Sequence, residues 1–334
     1  MNNNRRQFLS GMGTAAAAAF AAPALVAETA LPAAATAPTP GRGFASPSRL
    51  YLELAGQSAG RIASEIGGEA IGTVLEEGPD AEEVITKRIT GVTYNELALQ
   101  FAGGAKANLY ALVSSFLNRQ IPSATGAVVS TESDLDIHLR HEFHGALVTE
   151  FGVPTLAASP KSLGCFTLHL APELAKFVSA TGKYSDSSVI KAKPFQTAAF
   201  RIAIDGIEMK HVNKVEALTV KQKIAGIGER GEVLVEPLLV PDLVVTVPES
   251  FAQSFYGWFE SFVIQGNNDT TQERAGTLQI LSPTLQTVLF TIGFQNLGIY
   301  RIDRVPPAGN QPLTVKVTMY CERMTFAPDP SVVN

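Results

Sequence analysis

Three short segments of this 334-residue chain carry residue types and spacings that could perform chemistry. The segment GQSAG at 56–60 matches the nucleophile elbow of serine hydrolases, in which a sharp turn presents the central serine, here Ser58. An elbow also needs several earlier strands, an oxyanion loop, and acid and histidine partners. Only a leader-like segment and one strand precede Ser58. We therefore expect a turn between two strands, with a serine hydrolase as a remote alternative.

The second segment, GIGERG at 226–231, matches the glycine pattern of dinucleotide-binding loops. That function requires a helix N-terminus directly after the glycines, where the pyrophosphate binds. The residues that follow, EVLVEPL at 232–238, alternate between apolar and polar as a strand does. The glycines therefore predict a hairpin turn, and we expect no cofactor.

The third segment contains His138, His141 and His144, three of the five histidines, close to several acidic residues. Metal ligands on one strand must share a face or be completed by a second element. His138 and His144 share strand parity and His141 does not, so at most two of these side chains point the same way. The pattern favours a polar hairpin over the alternative of a metal site, and we assign no catalytic, cofactor-binding or metal-ligating residue.

The elements that would position these segments repeat along the chain. Apolar residues recur at helical spacing in 105–118 and in 249–265, and each member of the first set lies 146 residues before its counterpart. The alternating segments that begin at Leu97 and Leu243 keep the same separation (243 − 97 = 146). A constant offset through two different periodicities predicts duplication of a whole domain.

Further matches between the two halves have slightly different separations. Insertions and deletions between the halves would account for this, and they are best tolerated in loops. They are LEL at 52–54 with IAI at 202–204 (150), LDI at 135–137 with LQI at 278–280 (143), and TLHL at 167–170 with TVKV at 314–317 (147). Trp258 and the phenylalanines around it lie on the single apolar stripe of the second helix. That position predicts core packing, and not a platform for stacking sugars or bases.

The periodicities predict a mainly β (α+β) fold with two tandem similar domains. Each would be an antiparallel β-sandwich or barrel with one flanking α-helix, because strands and helices do not alternate as in βαβ units. We place the first domain at 48–178 and the second at 195–328. The Ser/Lys-rich segment 179–194 is the predicted linker.

Residues 1–35 have the layout of a twin-arginine export signal and leader. Arg5 and Arg6 precede a Phe-Leu pair and an alanine-rich apolar stretch. We expect export by the twin-arginine pathway to the periplasm, the extracellular space or the cell surface. This pathway carries folded proteins, so the core would form in the reducing cytoplasm. Cys165 and Cys321 are therefore expected to be packing thiols, with a late disulfide between them as the alternative.

Composition excludes two further classes of function. The formal net charge of −5 provides no basic surface for specific nucleic-acid binding. No segment of the mature chain approaches the roughly 20 apolar residues that a membrane helix needs, so we expect no membrane association of the mature form. No residue set combines a nucleophile, a base and an orienting group, so we do not expect an enzyme.

Several segments resemble the tail-tube protein family of contractile phages and related injection machines, in a tandem form. In the first half they are LELAG at 52–56, GGEA at 67–70, KRITGVTY at 87–94 and LYALVSSF at 109–116. In the second half they are FRIAIDG at 200–206 and FYGWFESF at 255–262.

The resemblance implies packed antiparallel sheets flanked by a helix, hexameric rings stacked into a hollow tube, and no catalysis. A fused pair of tube domains would close such a ring with three chains. The expected partner is therefore the chain itself, as a homotrimer, and other tube- or sheath-like proteins are further candidate partners. Phage tube subunits carry no export signal, whereas this chain has the layout of one. An exported soluble binding module with the same fold is the alternative function.

Overall fold

The structure is a computed structural model that describes residues 49–79, 83–159, 162–185, 195–228, 233–307, 309 and 312–333. The predicted export signal at 1–35 and most of the predicted linker lie outside the described residues. Every strand pair in the described part of the chain is antiparallel, and helices are few. The prediction of a mainly β protein is confirmed.

The elements of the first half, which we define as residues 49–179, are twelve strands and one helix. They are β1 (Arg49–Leu54), β2 (Gln57–Ile62), β3 (Ser64–Gly67), β4 (Ala70–Glu77), β5 (Thr86–Tyr94), β6 (Leu97–Phe101), α1 (Ala107–Leu117), β7 (Ser123–Thr131), β8 (Ile137–Val153), β9 (Leu156–Ala157), β10 (Leu163–Gly164), β11 (Phe166–Ala171) and β12 (Leu174–Ser179).

The second half, residues 195–328, continues with ten strands and a helical segment of three types. The strands are β13 (Phe195–Gln196), β14 (Phe200–Ile204), β15 (Lys214–Val215), β16 (Leu218–Lys221), β17 (Ile224–Ile227), β18 (Val233–Val235), β19 (Leu243–Pro248), β20 (Arg274–Leu281), β21 (Val288–Val305) and β22 (Thr314–Pro328). The helical segment consists of a 3-10 turn (Glu249–Phe251), α2 (Gln253–Phe259) and a π-helical turn, called the π-turn below (Glu260–Ile264).

Two large sheets share one strand order. The first sheet runs β2-β1-β7-β8-β11-β6-β3, with β12 and β16 also paired to β8. The second runs β14-β20-β21-β22-β19-β15-β9. The order from β1 to β3 in the first sheet therefore matches the order from β14 to β15 in the second. In addition, each half carries a separate hairpin, β4–β5 in the first and β17–β18 in the second.

The two sheets also share their register. Leu54 pairs with Gly126 as Ile204 pairs with Gly276, which gives a separation of 150 at both positions (204 − 54, 276 − 126). The other matching pairs are Leu52–Val128 with Ile202–Leu278, Val128–His141 with Leu278–Ile292, and Leu97–Leu170 with Leu243–Met319.

These pairs correct two of the sequence matches. The structure places Val128, and not 135–137, at the position of Leu278. It also places Leu170 at the position of Met319, a separation of 149 instead of 147 (319 − 170 = 149).

Both predicted helices occur where the apolar spacing placed them. In α1 the buried side chains lie on one face, and Leu109, Val113 and Phe116 belong to the core. The second predicted helix, 249–265, is divided among the 3-10 turn, α2 and the π-turn. Trp258 is buried there, with the Arg274 guanidinium 4.9 Å from the ring centroid, which confirms its core role.

One continuous hydrophobic core contains residues of both sheets, and the described residues form one compact unit. The strands of each large sheet come from one half, apart from β9 and β16, which pair across the boundary. The division into two domains at 179–194 stays a prediction, since 186–194 lie outside the described residues.

Candidate assembly surface

The two halves exchange strands at their junction. Strand β8 ends at Val153 in the first sheet, and β9 begins three residues later in the second sheet, where it pairs with β15. Shortly after β15 the chain returns as β16, which pairs with the last four residues of β8. Each half therefore supplies the strand that covers an edge of the other, so neither sheet is complete without both halves.

The exchanged strand β16 is held by apolar burial and by one ion pair. Leu218 and Val220 are buried in the common core, with Val153 and Phe151 as their strand partners. On the other face of the strand, Lys221 lies opposite Glu150, with 3.0 Å between Nζ and Oε2. The junction thus combines an apolar inner face with a charged outer face.

Helix α1 packs across the boundary onto the second sheet. The Ser114 hydroxyl donates to the Phe326 carbonyl at 3.2 Å, and the Arg119 guanidinium donates to the Glu322 carbonyl at 3.1 Å. The Tyr110 ring centroid lies 6.1 Å from those of Phe290 and Phe326. Contacts between aromatic rings at such distances stabilise beyond their buried area.

Because the halves share their register, the junction residues 218–221 and 150–153 have counterparts elsewhere in the chain. Residues 68–71 correspond to Leu218–Lys221 at a separation of 150. The hairpins agree, since Ile71 pairs with Thr93 as Lys221 pairs with Leu239. Residues 301–304 correspond to 150–153, because Ile302 pairs with Val317 as Phe151 pairs with Leu168.

The counterparts at the outer ends of the chain have open edges. Within the described residues, 301–304 have β22 on one side and no strand on the other. Strand β3 is the last strand of its sheet in the same part of the chain, and its Ile66 is 70% exposed. Open strand edges are templates for pairing with another chain.

Phe177 is the counterpart of Phe326, because it pairs with His141 as Phe326 pairs with Ile292. Phe326 is 5% exposed beside α1, whereas Phe177 is 55% exposed. The hairpin β4–β5 adds further exposed apolar side chains. They are Ile71, Val74, Leu75, Ile89 and Val92. We call residues 64–71 together with Phe177 the leading face, and residues 301–304 together with α2 the trailing face.

Ser58 lies just after the turn between β1 and β2, as predicted. Its hydroxyl accepts hydrogen bonds from the Tyr184 hydroxyl at 3.1 Å and from the Gly60 N–H at 3.4 Å. The hairpin predicted around GIGERG is also present, since β17 pairs with β18, although its turn at 229–232 lies outside the described residues. Ser58 lies in β2, and the described residues that follow GIGERG form β18, whereas the catalytic and nucleotide-binding uses require a helix at these places.

The histidine segment lies on β8, and its parity is as predicted, with His138 and His144 exposed and His141 buried. The Nδ1 of His141 lies 2.5 Å from Glu65 Oε1, and its ring stacks on Phe177 with centroids 4.0 Å apart. Among the residues that the structure describes, no three His, Cys, Asp or Glu side chains are placed to hold a metal ion.

Cys165 and Cys321 are both free thiols. Burial raises the pKa of the Cys321 thiol to about 11, which keeps it protonated at neutral pH. Burial also raises the pKa of Cys165. None of the helices in the described ranges is both long and apolar enough to cross a membrane.

The strand exchange was not predicted from the sequence. The sequence signals for it are the alternating apolar residues Leu218 and Val220, and the short apolar segment at β9. Both are too short for periodicity analysis, which needs several residues to separate a strand from a loop.

No protein-family model matches the chain, and no curated protein matches it. Three of the solved structures that match cover about two fifths of this chain. A chain of the anti-feeding prophage baseplate is 14% identical over 39% of this chain and 91% of its own, with a TM-score of 0.31.

Two further matches are similar in extent. A chain of the sheath–tube complex of an extracellular contractile injection system is 12% identical over 40% of this chain and 89% of its own, with a TM-score of 0.34. A chain of the anti-feeding prophage tube cap is 12% identical over 41% and 92%, with a TM-score of 0.27. At these TM-scores the likeness carries no argument about what this chain does.

Proposed function

We propose that this protein is a structural, non-enzymatic subunit that assembles head to tail into a closed ring of three chains. Each chain would contribute two similar halves, so the ring would contain six similar units. The observation that carries the proposal is the strand exchange between the halves, together with open counterparts of the same elements at both outer ends of the chain.

A junction of this kind supports a ring. The contact between the halves is heterologous, because different surfaces of the two similar units meet there. A heterologous contact that repeats around an axis closes into a ring, or forms an open filament when the rotation does not close. Closure would also cover the open edges of both faces, which a monomer must otherwise protect. Rings of this kind could stack into a hollow tube.

We further propose that the two halves arose by duplication of one domain. The matching strand order and the matching register support this, because a separation of 146 to 151 residues is kept across every shared strand pairing. An exported binding module is the second candidate function. The exposed apolar side chains of β4–β5 favour it, since exposed apolar patches also mark sites for other proteins.

Solution mass and electron microscopy of the chain without residues 1–35 test the proposal. We expect a particle of three times the chain mass by light scattering, and rings with six similar lobes in micrographs. A monomer at all concentrations over a wide range would refute the ring and leave the binding module. A particle of a different closed size would refute the count of three.

Export through the twin-arginine pathway is a separate proposal that rests on the sequence of residues 1–35. We expect that replacement of Arg5 and Arg6 by lysine traps the protein in the cytoplasm. Cell fractionation measures this, with the unchanged chain as the control. Equal export of both forms would contradict the proposal.

A further inference from the structure

We infer that each contact between chains repeats the strand register of the junction between the halves. Residues 68–71 of one chain pair antiparallel with 301–304 of a second copy, and Phe177 of the first chain lies under α2 of the second. The leading face of one chain thereby meets the trailing face of its neighbour. This inference rests on the proposed function and specifies its interface.

The strand part of the interface follows from the register. In the chain, Lys221 lies opposite Glu150 and Leu218 lies opposite Val153. The counterparts of Lys221 and Glu150 are Ile71 and Arg301, so these two residues are opposite each other between chains. The strand edge at 301–304 is open within the described residues, and 68–71 have a neighbouring segment on one side only. Both backbones therefore have hydrogen-bonding groups free for the pairing.

One charge pair fits the same register. Glu65 of the leading face is already paired with His141, and Arg304 of the trailing face is already paired with Glu249. The charges that the register brings together between chains are Glu69 and Arg301. In this register Glu69 lies diagonally across from Arg301, a distance that long side chains span. Asp303, directly opposite Glu69, is already bound to the Arg301 guanidinium, with its Oδ2 2.8 Å from Nε. Arg301 would therefore lie between two carboxylates.

The helix part of the interface explains the exposed Phe177. Within the chain, α1 covers Phe326 through Tyr110. The residue of the second helical segment that corresponds to Tyr110 is Tyr256 (256 − 110 = 146), and it is half-buried. A second copy placed by the same geometry puts Tyr256 over Phe177. An aromatic side chain that is exposed in the monomer then lies at the centre of the interface, where such residues contribute most to binding.

Disulfide trapping tests the register. In the chain without residues 1–35, Ile71→Cys combined with Arg301→Cys places two thiols directly opposite each other between chains. Residues directly opposite in an antiparallel pair have Cα atoms about 4.5–5.5 Å apart, within the range of a disulfide. We expect dimers and trimers on a non-reducing denaturing gel after mild oxidation, and single chains after reduction. The matched control is Lys221→Cys with Glu150→Cys, which closes within one chain and leaves its mass unchanged.

Each single-cysteine variant gives the background from Cys165 and Cys321. Ile71→Cys with Arg304→Cys tests register, because Arg304 lies three residues away and on the opposite face of the strand. A trimer in solution without trapping of the Ile71–Arg301 pair would overturn this inference and leave the proposed function intact. Equal trapping of the Arg304 pair would overturn the register. A monomer that yields no trapped species would remove both proposals.

Phe177→Asp tests the helix contact independently. We expect the concentration needed for trimer formation to rise on the order of tenfold or more, because the change places a charge in the centre of an apolar contact. Circular dichroism should be unchanged, since the side chain is 55% exposed in the monomer. An unchanged trimer would overturn the placement of Phe177 under α2.

Discussion

Phe166 links the two halves, and its removal should destabilise both of them together. The side chain is fully buried, and its ring lies close to Phe101 and Phe151 of the first half. Its ring centroid also lies 4.9 Å from that of Phe290 and 5.1 Å from that of Phe326, both in the second half. Phe166→Ala therefore leaves a cavity that both sheets line. If the halves form one cooperative unit, this cavity reduces the free energy of unfolding of the whole.

The size of the effect follows from the burial. Replacing a buried phenylalanine by alanine costs about 3–5 kcal/mol, and the dense ring contacts place Phe166 in the upper part of that range. With a urea slope of about 3 kcal/mol per M, the unfolding midpoint should fall by about 1 M or more. Phe251→Ala is the matched control, because Phe251 is 43% exposed and should change the midpoint little.

Two probes followed in the same urea titration test the coupling. Trp258, the one tryptophan of the chain, reports on the second half by its fluorescence, and far-ultraviolet circular dichroism reports on all strands. We expect both midpoints to move together in Phe166→Ala. An unmoved fluorescence midpoint with an earlier loss of circular dichroism would refute a shared core, since the first half would then unfold alone.

Three further outcomes are expected. Gly126→Ala should destabilise the protein more than Gly276→Ala in thermal unfolding. An added Cβ would lie 2.0 Å from the Glu53 carbonyl oxygen in the first variant and 3.0 Å from the Ala203 carbonyl oxygen in the second. Equal effects would contradict the local geometry. The unfolding free energy should fall as pH rises above about 9. Burial raises the pKa of Tyr320 to about 12 and that of Cys321 to about 11, so only the unfolded chain loses these protons. Denaturant midpoints measured between pH 8 and 10, a range around the ordinary thiol pKa, test this, and a midpoint that rises with pH would refute it. Cys321 should react with iodoacetamide at pH 8 far more slowly than an unfolded thiol, since its thiolate fraction at this pH is about 0.001. Rapid labelling of the native protein, measured by mass spectrometry, would contradict its burial.

Periodicity predicted the fold class and both helices because these depend on which side chains are buried. It could not set the strand register, because an alternating pattern is unchanged by a shift of two residues. The match of TLHL with TVKV is off by this amount. Bulges add to the difficulty, since the register shifts between Ala124 and Gly126 and between Ser130 and Thr131.

The candidate interface could not be predicted for a different reason. Strand β9 has two residues and β16 has four, and their pairing joins positions far apart in the chain. Local sequence carries no signal for such a pairing. Phe177 likewise lies in a strand whose sequence does not indicate which element packs on its apolar residues. Its exposure is recognised as unusual only by comparison with the buried Phe326.

The strand exchange also sets a delay during synthesis of the chain. Strand β8 ends at Val153, and the strand that covers its last residues ends only at Lys221, 68 residues later (221 − 153). At translation rates of about 5–20 residues per second, this edge waits about 3–14 s for its partner on the ribosome. During that time Glu150 is the one charged side chain among the four residues at the edge that the structure describes. We therefore expect nascent chains stalled before residue 218 to be the species most prone to aggregate or to recruit chaperones.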